Sequence, residues 1–230
     1  MKHQTISICN DNGTIVLAQA PVIVSASRAT DIPTFYTDWF FNRLEKNYVR
    51  WRNPFSGQDS YVSFVNTRFI VFWSKDPDPL LPYLPVLKER GIGCYLQYTL
   101  NDYEAEGLEP NVPPLEQKIE TFRRLVDVLG AGAAVWRFDP LILTDKINID
   151  TLLEKIAHIA NSLVGYSEKL IFSFADIDSY KKVSRNLRLS GINYREWDEE
   201  TMHEFASRLS ATNRNNWHFR LATCAERIDL

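Results

Sequence analysis

Short apolar runs alternate with longer stretches of helical periodicity along most of the chain. The runs are rich in Val, Ile, Phe, Tyr and Trp, which favour strands. They predict strands at residues 22–27, 48–52, 69–73, 94–99, 133–138, 169–174 and 217–223. Because strands that alternate with helices are typical of repeated βα units, the pattern predicts an α/β protein with a parallel sheet.

The helical stretches have start and stop signals of their own. The clearest helix is predicted over residues 115–129, after Pro114 and before Gly130, whose freedom to adopt positive φ suits a helix end. Further helices are predicted after Pro33 through Leu44, from a cap at Asn148 or Asp150 to Gly165, around residues 180–189, and from Asp198 through Leu209.

The amino-terminal region predicts a β-hairpin, with strands at 5–8 and 14–18 around a turn-prone loop. The parallel strands allow a doubly wound sheet or a barrel. Residues 25–31, after the first parallel strand, lack the glycines of a doubly wound nucleotide fold. We therefore expect one domain over residues 1–230, a TIM-barrel-like, incomplete (βα)6–7 barrel with its hairpin at 1–20. Since few residues follow the last strand, either the barrel is open or a carboxyl-terminal segment is missing.

Composition narrows the class of partner. The chain has 26 Lys and Arg against 29 Asp and Glu, a net charge of -3 and a pI near 5.9. A general nucleic-acid binder usually has a basic domain, so nucleic acid is disfavoured as a partner. No run of apolar residues is long enough to span a membrane, and no signal-peptide core follows the amino terminus. We expect a cytoplasmic protein with a small-molecule substrate and no membrane partner; the sequence leaves the oligomeric state open.

Polar residues follow nearly every predicted strand. Since the carboxyl ends of barrel strands meet at one mouth, we expect their side chains to line a common site. The candidates are Ser27, Arg28, Asp31, Asn53, Ser74, Lys75, Gln97, Thr99, Arg137, Asp139, Ser173, Asp176, Cys224 and Glu226.

The strand at 133–138 places a charged pair at this predicted site. Strand alternation puts Arg137 and Asp139 on one face and the neighbouring aromatic residues on the other. Two interpretations stay open. The charges could form structural ion pairs, such as Arg28 with Asp139, or Arg28, Lys75 and Arg137 could clamp an anion. In the second case Asp139 or Asp176 would be the catalytic base or orienting group.

Residues 25–33 combine hydroxyl groups, Arg28 and the start of a helix. Free backbone amides at a helix start can hold an anion, so this segment is a candidate anion site. The simpler interpretation is that Thr30 or Asp31 caps the helix, with Pro33 in its first turn.

Metal ligands are scarce in the sequence. Cys9, Cys94 and Cys224 are too widely spaced for a disulfide framework or a short ligand pattern, and the four histidines have no ligand spacing. Cys94 lies in an apolar strand and is expected in the core. Cys224 follows the last strand and could reach the mouth, but one thiol cannot hold a metal or cluster.

Five motifs together resemble a bacterial family, the domain of unknown function 1848, from about residue 22 to the end. They are residues 25–33 (SASRATDIP), 52–55 (RNPF), 71–77 (VFWSKDP), 109–114 (EPNVPP) and 136–140 (WRFDP). Members of the family typically have a carboxyl-terminal cysteine cluster similar to the iron-sulfur motif of radical S-adenosylmethionine enzymes. The resemblance therefore implies a barrel related to those enzymes, with Cys224 as its candidate metal ligand here.

The chain departs from the family pattern because no cysteine follows Cys224. Three thiolates hold such a cluster while leaving one iron open, so an iron-sulfur cluster and S-adenosylmethionine are expected only in a longer form. The first hypothesis is a truncated or divergent radical S-adenosylmethionine-like enzyme. The alternatives are a cofactor-free barrel hydrolase or isomerase of a small phosphorylated metabolite, and a non-enzymatic binding protein that uses the basic residues 181–188.

Overall fold

The computed structural model describes residues 4–27, 30–53, 56–224 and residue 228. The chain divides into two compact units, Met1–Leu96 and Gln97–Leu230. One strand, Gly93–Thr99, contains the boundary.

The first unit contains β1 (Thr5–Cys9), β2 (Ile15–Gln19), β3 (Ile23–Ser25), α1 (Ile32–Phe35), α2 (Thr37–Glu45), β4 (Tyr48–Arg52), β5 (Asp59–Ser63), β6 (Phe69–Ser74), a 3-10 helix (Asp78–Tyr83), α3 (Leu84–Glu89) and the start of β7 (Gly93–Thr99). The second unit continues with α4 (Leu115–Leu129), β8 (Ala134–Leu141), β9 (Leu143–Thr144), α5 (Ile149–Leu163), β10 (Lys169–Phe174), α6 (Lys181–Leu189), β11 (Tyr194–Arg195), α7 (Glu199–Asn216) and β12 (Arg220–Thr223).

The predicted hairpin is part of a four-stranded sheet in the order β1-β2-β5-β4. β1 and β2 pair antiparallel from Thr5 opposite Gln19 to Cys9 opposite Ile15. β4 pairs antiparallel with β5, so its assignment to the parallel sheet was wrong. The cause is β5, whose sequence DSYVS is too polar to read as a strand but supplies a local antiparallel partner.

Six strands form the second sheet, in the order β12-β10-β8-β7-β6-β3. The pairs β3–β6, β8–β10 and β10–β12 are parallel, which confirms the predicted α/β class. The order follows the chain without a reversal. β3 and β12 are the two edge strands and no sheet closes among the described residues, so the TIM-barrel part of the prediction is not shown.

The helices of the second unit begin and end close to their predicted signals. α4 ends before Gly130, which has φ of 91°. The Asn148 side chain caps α5 by accepting the Thr151 amide at 2.9 Å. Asp198 caps α7 in a capping box with Thr201, although α7 extends beyond the predicted end to residue 216. In the part of the chain that the structure describes, no helix has the length and apolar character to cross a membrane.

The sheet of the second unit has an aromatic core. Trp136, Phe138, Phe172 and Phe205 are fully buried, and Phe205 brings the inner face of α7 against β10. Because Trp136 and Phe138 point into this core, strand alternation turns the residues beside them to the opposite face of β8.

Candidate functional site

The charged pair predicted on β8 is present. Arg137 donates to one carboxylate oxygen of Asp139 through Nε at 3.1 Å and through Nη2 at 2.5 Å. The two side chains are 13% and 28% exposed. The predicted alternation of β8 is therefore confirmed, but the ion pair forms between residues of the same strand.

Neighbouring parallel strands complete a polar cluster around this pair. Gln97, near the end of β7, accepts a hydrogen bond from Arg137 Nη1 at 2.5 Å. On β10, the Ser173 hydroxyl donates to the Asp139 oxygen that Arg137 does not use. Cys224, directly after β12, lies close enough to Arg137 to contribute to the pKa of its guanidinium. We call Gln97, Arg137, Asp139, Ser173 and Cys224 the strand-end cluster.

Charge complementarity stabilises the cation of this cluster. Burial lowers the pKa of Arg137, but the hydrogen bonds to Asp139 and the nearby Cys224 raise it by more, so its pKa lies above the ordinary value. A guanidinium has five N–H donors, more than these bonds and the bond to Gln97 use. Arg137 is thus fixed in orientation, fully charged and able to donate to a ligand.

The backbone of Asp139 is held by Asn101, which sequence reasoning missed. Asn101 is fully buried. Its Oδ1 accepts the Asp139 amide at 2.9 Å, and its Nδ2 donates at 3.1 Å to both the Asp139 carbonyl and Glu109. The Lys118 ammonium donates at 2.7 Å to the Asn101 carbonyl. The available signal was the position of Asn101, two residues after a strand, with Glu109 in one of the quoted motifs.

In the first unit, the segment around residue 31 forms a capping network. One Asp31 oxygen accepts the Thr34 amide at 3.0 Å, and the other accepts the Ser74 hydroxyl at 3.0 Å and the Lys75 amide at 2.8 Å. Ser27, with φ of 73°, accepts the Ile32 amide at 3.3 Å through its hydroxyl. Two amides at the start of the four-residue helix α1 are therefore already satisfied, as the capping interpretation requires.

The remaining candidates have other surroundings. Asn53 follows β4 of the four-stranded sheet and accepts the Ser56 amide at 3.2 Å, which fixes a local turn. Asp176 is exposed and accepts the Ser179 amide at 3.3 Å, so its described contacts are also those of a turn. Thr99 is half-buried at the end of β7. Arg28 and Glu226 lie outside the described residues.

The positions of the three cysteines show whether they could hold the iron-sulfur cluster that the family resemblance implies. Cys9 and Cys224 are exposed, whereas Cys94 is half-buried and not fully in the core as the sequence predicted; its burial raises its pKa to about 11. Within the described ranges, no group of three or more His, Cys, Asp or Glu side chains could hold a metal ion. These residues do not fit a cluster held by three thiolates, and we derive no step through one.

These features define an α/β protein with a parallel sheet and a polar cluster at the carboxyl ends of adjacent strands. The profile of the family described as Domain of unknown function (DUF1848) matches residues 23–230. The chain belongs to this family, as the five sequence motifs indicated. Comparison with curated proteins and with solved structures gave no match in either set.

Proposed function

We propose that the chain is an enzyme that binds a small anionic metabolite at the strand-end cluster and acts on it as a cofactor-free hydrolase or isomerase. The observation that supports this most is the fixed orientation of Arg137, whose guanidinium is held by Asp139 and Gln97. Ligands of open parallel α/β sheets bind outside the carboxyl ends of the strands, where this cluster lies.

The chemistry of the cluster favours a phosphate or carboxylate group on the ligand. An N–H of Arg137 that its neighbours do not use can donate to either group, and such a charge-assisted bond is stronger than a neutral one. Since Arg137 is already ordered by its neighbours, binding a ligand costs less side-chain entropy than ordering a free arginine would.

Asp139 is the proposed proton acceptor. Its carboxylate is oriented by Arg137 on one oxygen and by the Ser173 hydroxyl on the other, while 28% of the side chain stays exposed. A positioned carboxylate within reach of a ligand proton is a suitable general base. Hydrolysis and isomerisation both use such a group.

The second candidate function is that of a radical S-adenosylmethionine-like enzyme. The family resemblance implies this function together with an incomplete (βα) barrel as its fold. The consecutive order of the parallel strands supports a barrel-like arrangement, and Cys224 supports one cluster ligand by its place after β12. We rank this function second because it needs thiolates beyond the one that the strand-end cluster supplies.

The test measures ligand binding to the 230-residue chain by thermal shift and calorimetry, with orthophosphate, sugar phosphates and small dicarboxylates as probes. Arg137→Lys keeps the charge but loses the planar fork through which Asp139 and Gln97 hold the cation in place, and we expect it to weaken binding roughly tenfold. Arg208→Lys is the matched control, since Arg208 makes exposed ion pairs with Asp150 and Glu204. Equal affinity in all three proteins would overturn the proposal.

A further variant and a reconstitution separate the candidate functions. We expect Asp139→Asn to retain ligand binding and lose turnover of a metabolite that the wild-type protein converts. Binding without any turnover would instead support the non-enzymatic alternative. A brown species after anaerobic reconstitution with iron and sulfide, lost in Cys224→Ala, would replace the proposal with the radical enzyme.

A further inference from the structure

A second charged surface lies on α6, outside the strand-end cluster. A groove there is lined by Asp178, Lys181, Ser184, Arg185, Arg188 and Leu189, and we call it the α6 groove. Residues three and four apart share one helix face, so the helical spacing brings Lys181, Arg185 and Arg188 together along it. The groove therefore has three cations against one carboxylate.

The cations of the α6 groove are not explained by internal pairing. The side chains of Lys181 and Arg185 form no hydrogen bond or ion pair with any residue that the structure describes. α6 also contains no acidic residue that could balance them. Like charges at this spacing destabilise a helix, and a bound anion would remove that repulsion.

The rest of the groove is held in place by a polar network. Arg188 donates to the Ser184 hydroxyl at 2.9 Å, and that hydroxyl is 2.9 Å from the Tyr194 hydroxyl. Tyr194 in turn donates to Asp178 at 2.7 Å. The single acid of the groove is therefore already hydrogen-bonded, and Ser184 is fixed beside the cations.

The opposite face of α6 packs on the protein. Leu187 is buried with Ala175 and Ile177 in a small hydrophobic cluster. Leu187 is therefore not free to enter a lipid surface, although Val183 and Leu189 on the same helix are exposed. Membrane insertion needs a broad apolar face, which these two side chains do not provide.

We propose that the α6 groove binds a compact polyphosphate group, as found in pyrophosphate, tripolyphosphate or the phosphate tail of a nucleotide. At 1.5 Å per residue, Lys181 and Arg188 are roughly 10 Å apart along the helix, a length that matches two or three linked phosphates. A nucleic-acid strand would need a longer basic track, and the chain has a net charge of -3. This site is separate from the proposed function and does not rest on it.

Calorimetry with inorganic pyrophosphate and tripolyphosphate tests the site on the whole chain. We expect both to bind more tightly than orthophosphate, and Lys181→Gln and Arg185→Gln each to weaken binding roughly tenfold. Neither side chain has a described native partner, so neither variant should lower the unfolding midpoint. Lys182→Gln is the control, because it removes the same charge from the next residue, which does not line the groove.

Three results would overturn the proposal. One is unchanged affinity in both groove variants, and another is an equal loss in Lys182→Gln, which would indicate general electrostatic attraction. The third is a single-stranded oligonucleotide or an anionic vesicle that binds at least a hundredfold more tightly than tripolyphosphate and depends on the same two residues. That result would assign the groove to a macromolecule.

Discussion

Replacing Asn101 with leucine tests whether the strand-end cluster depends on a buried polar support. Asn101 makes three side-chain hydrogen bonds, two to the Asp139 backbone and one to Glu109. Leucine has a similar volume, so Asn101→Leu removes these bonds without leaving a large cavity. The Asp139 amide and carbonyl and the Glu109 carboxylate would then lose a partner that water cannot easily replace.

The expected cost follows from these three bonds. A net contribution of about 1 kcal/mol each, with a larger penalty for any polar group left buried and unpaired, gives a loss of about 3–5 kcal/mol in the free energy of unfolding. For a chain of this size, that loss should lower the midpoint of urea unfolding by roughly 1 M or more. Tryptophan fluorescence follows the transition, since Trp136 is fully buried in β8, the strand that also contains Asp139.

Asn216→Leu is the control for this substitution. Asn216 is exposed at the end of α7 and donates one hydrogen bond, at 2.8 Å, to the Thr212 carbonyl. Its replacement should cost less than about 0.5 kcal/mol. A loss below about 1 kcal/mol in Asn101→Leu would refute the argument, because the backbone of Asp139 would then not need its buried partner.

Three other predictions concern separate parts of the chain. Gly93→Ala should lower the unfolding midpoint of the protein, because the new Cβ would lie 2.7 Å from an aromatic ring on β6. At pH 8, alkylation of Cys94 should be about a hundredfold slower than that of the two exposed cysteines, since burial raises its pKa to about 11. Hydrogen bonds with Tyr48 and Arg43 lower the pKa of Asp11 to about 2. Asp11 therefore stabilises the fold fully above pH 4 and loses this effect as the pH falls through 2, so Asp11→Asn should be destabilising at pH 6 and much less so at pH 2.

Each of these predictions has a clear contrary result. An unchanged midpoint in Gly93→Ala would mean that the aromatic ring can move aside. Gly91→Ala is the comparison, because Gly91 has positive φ but no atom near an added Cβ. Mass spectrometry that finds Cys94 alkylated as fast as Cys224 would contradict its burial. A destabilisation by Asp11→Asn that is the same at pH 6 and pH 2 would show that its ionisation is not linked to folding.

The elements that the sequence predicted well are those fixed by local chemistry. Gly130 ends α4 and Asp198 begins α7, and each of these signals acts within one or two helical turns. The alternation on β8 was predictable for the same reason, because two residues on a strand share a face whatever the strand pairs with. Arg137 and Asp139 could thus be placed together before their surroundings were known.

The parts that could not be predicted depend on contacts between distant segments. β4 looked like a parallel strand until β5, a polar pentapeptide, supplied an antiparallel partner. The role of Asn101 depends on Asp139, which lies 38 residues away, and on Lys118 from α4. The pattern of apolar residues cannot predict a buried asparagine, because burial of this side chain is favourable only once those partners are in place.

The two open interpretations of the Arg137–Asp139 pair, structural or functional, can be separated by comparing stability with affinity. Asn101 supports the backbone of Asp139, whereas Arg137 contacts its side chain and is the group that we propose binds the anion. If the pair serves binding, Asn101→Leu should cost more stability than Arg137→Lys, while Arg137→Lys should cost more anion affinity. If the loss of anion affinity is instead proportional to the loss of stability in both variants, the pair is a structural ion pair, and the site must be sought elsewhere in the second unit.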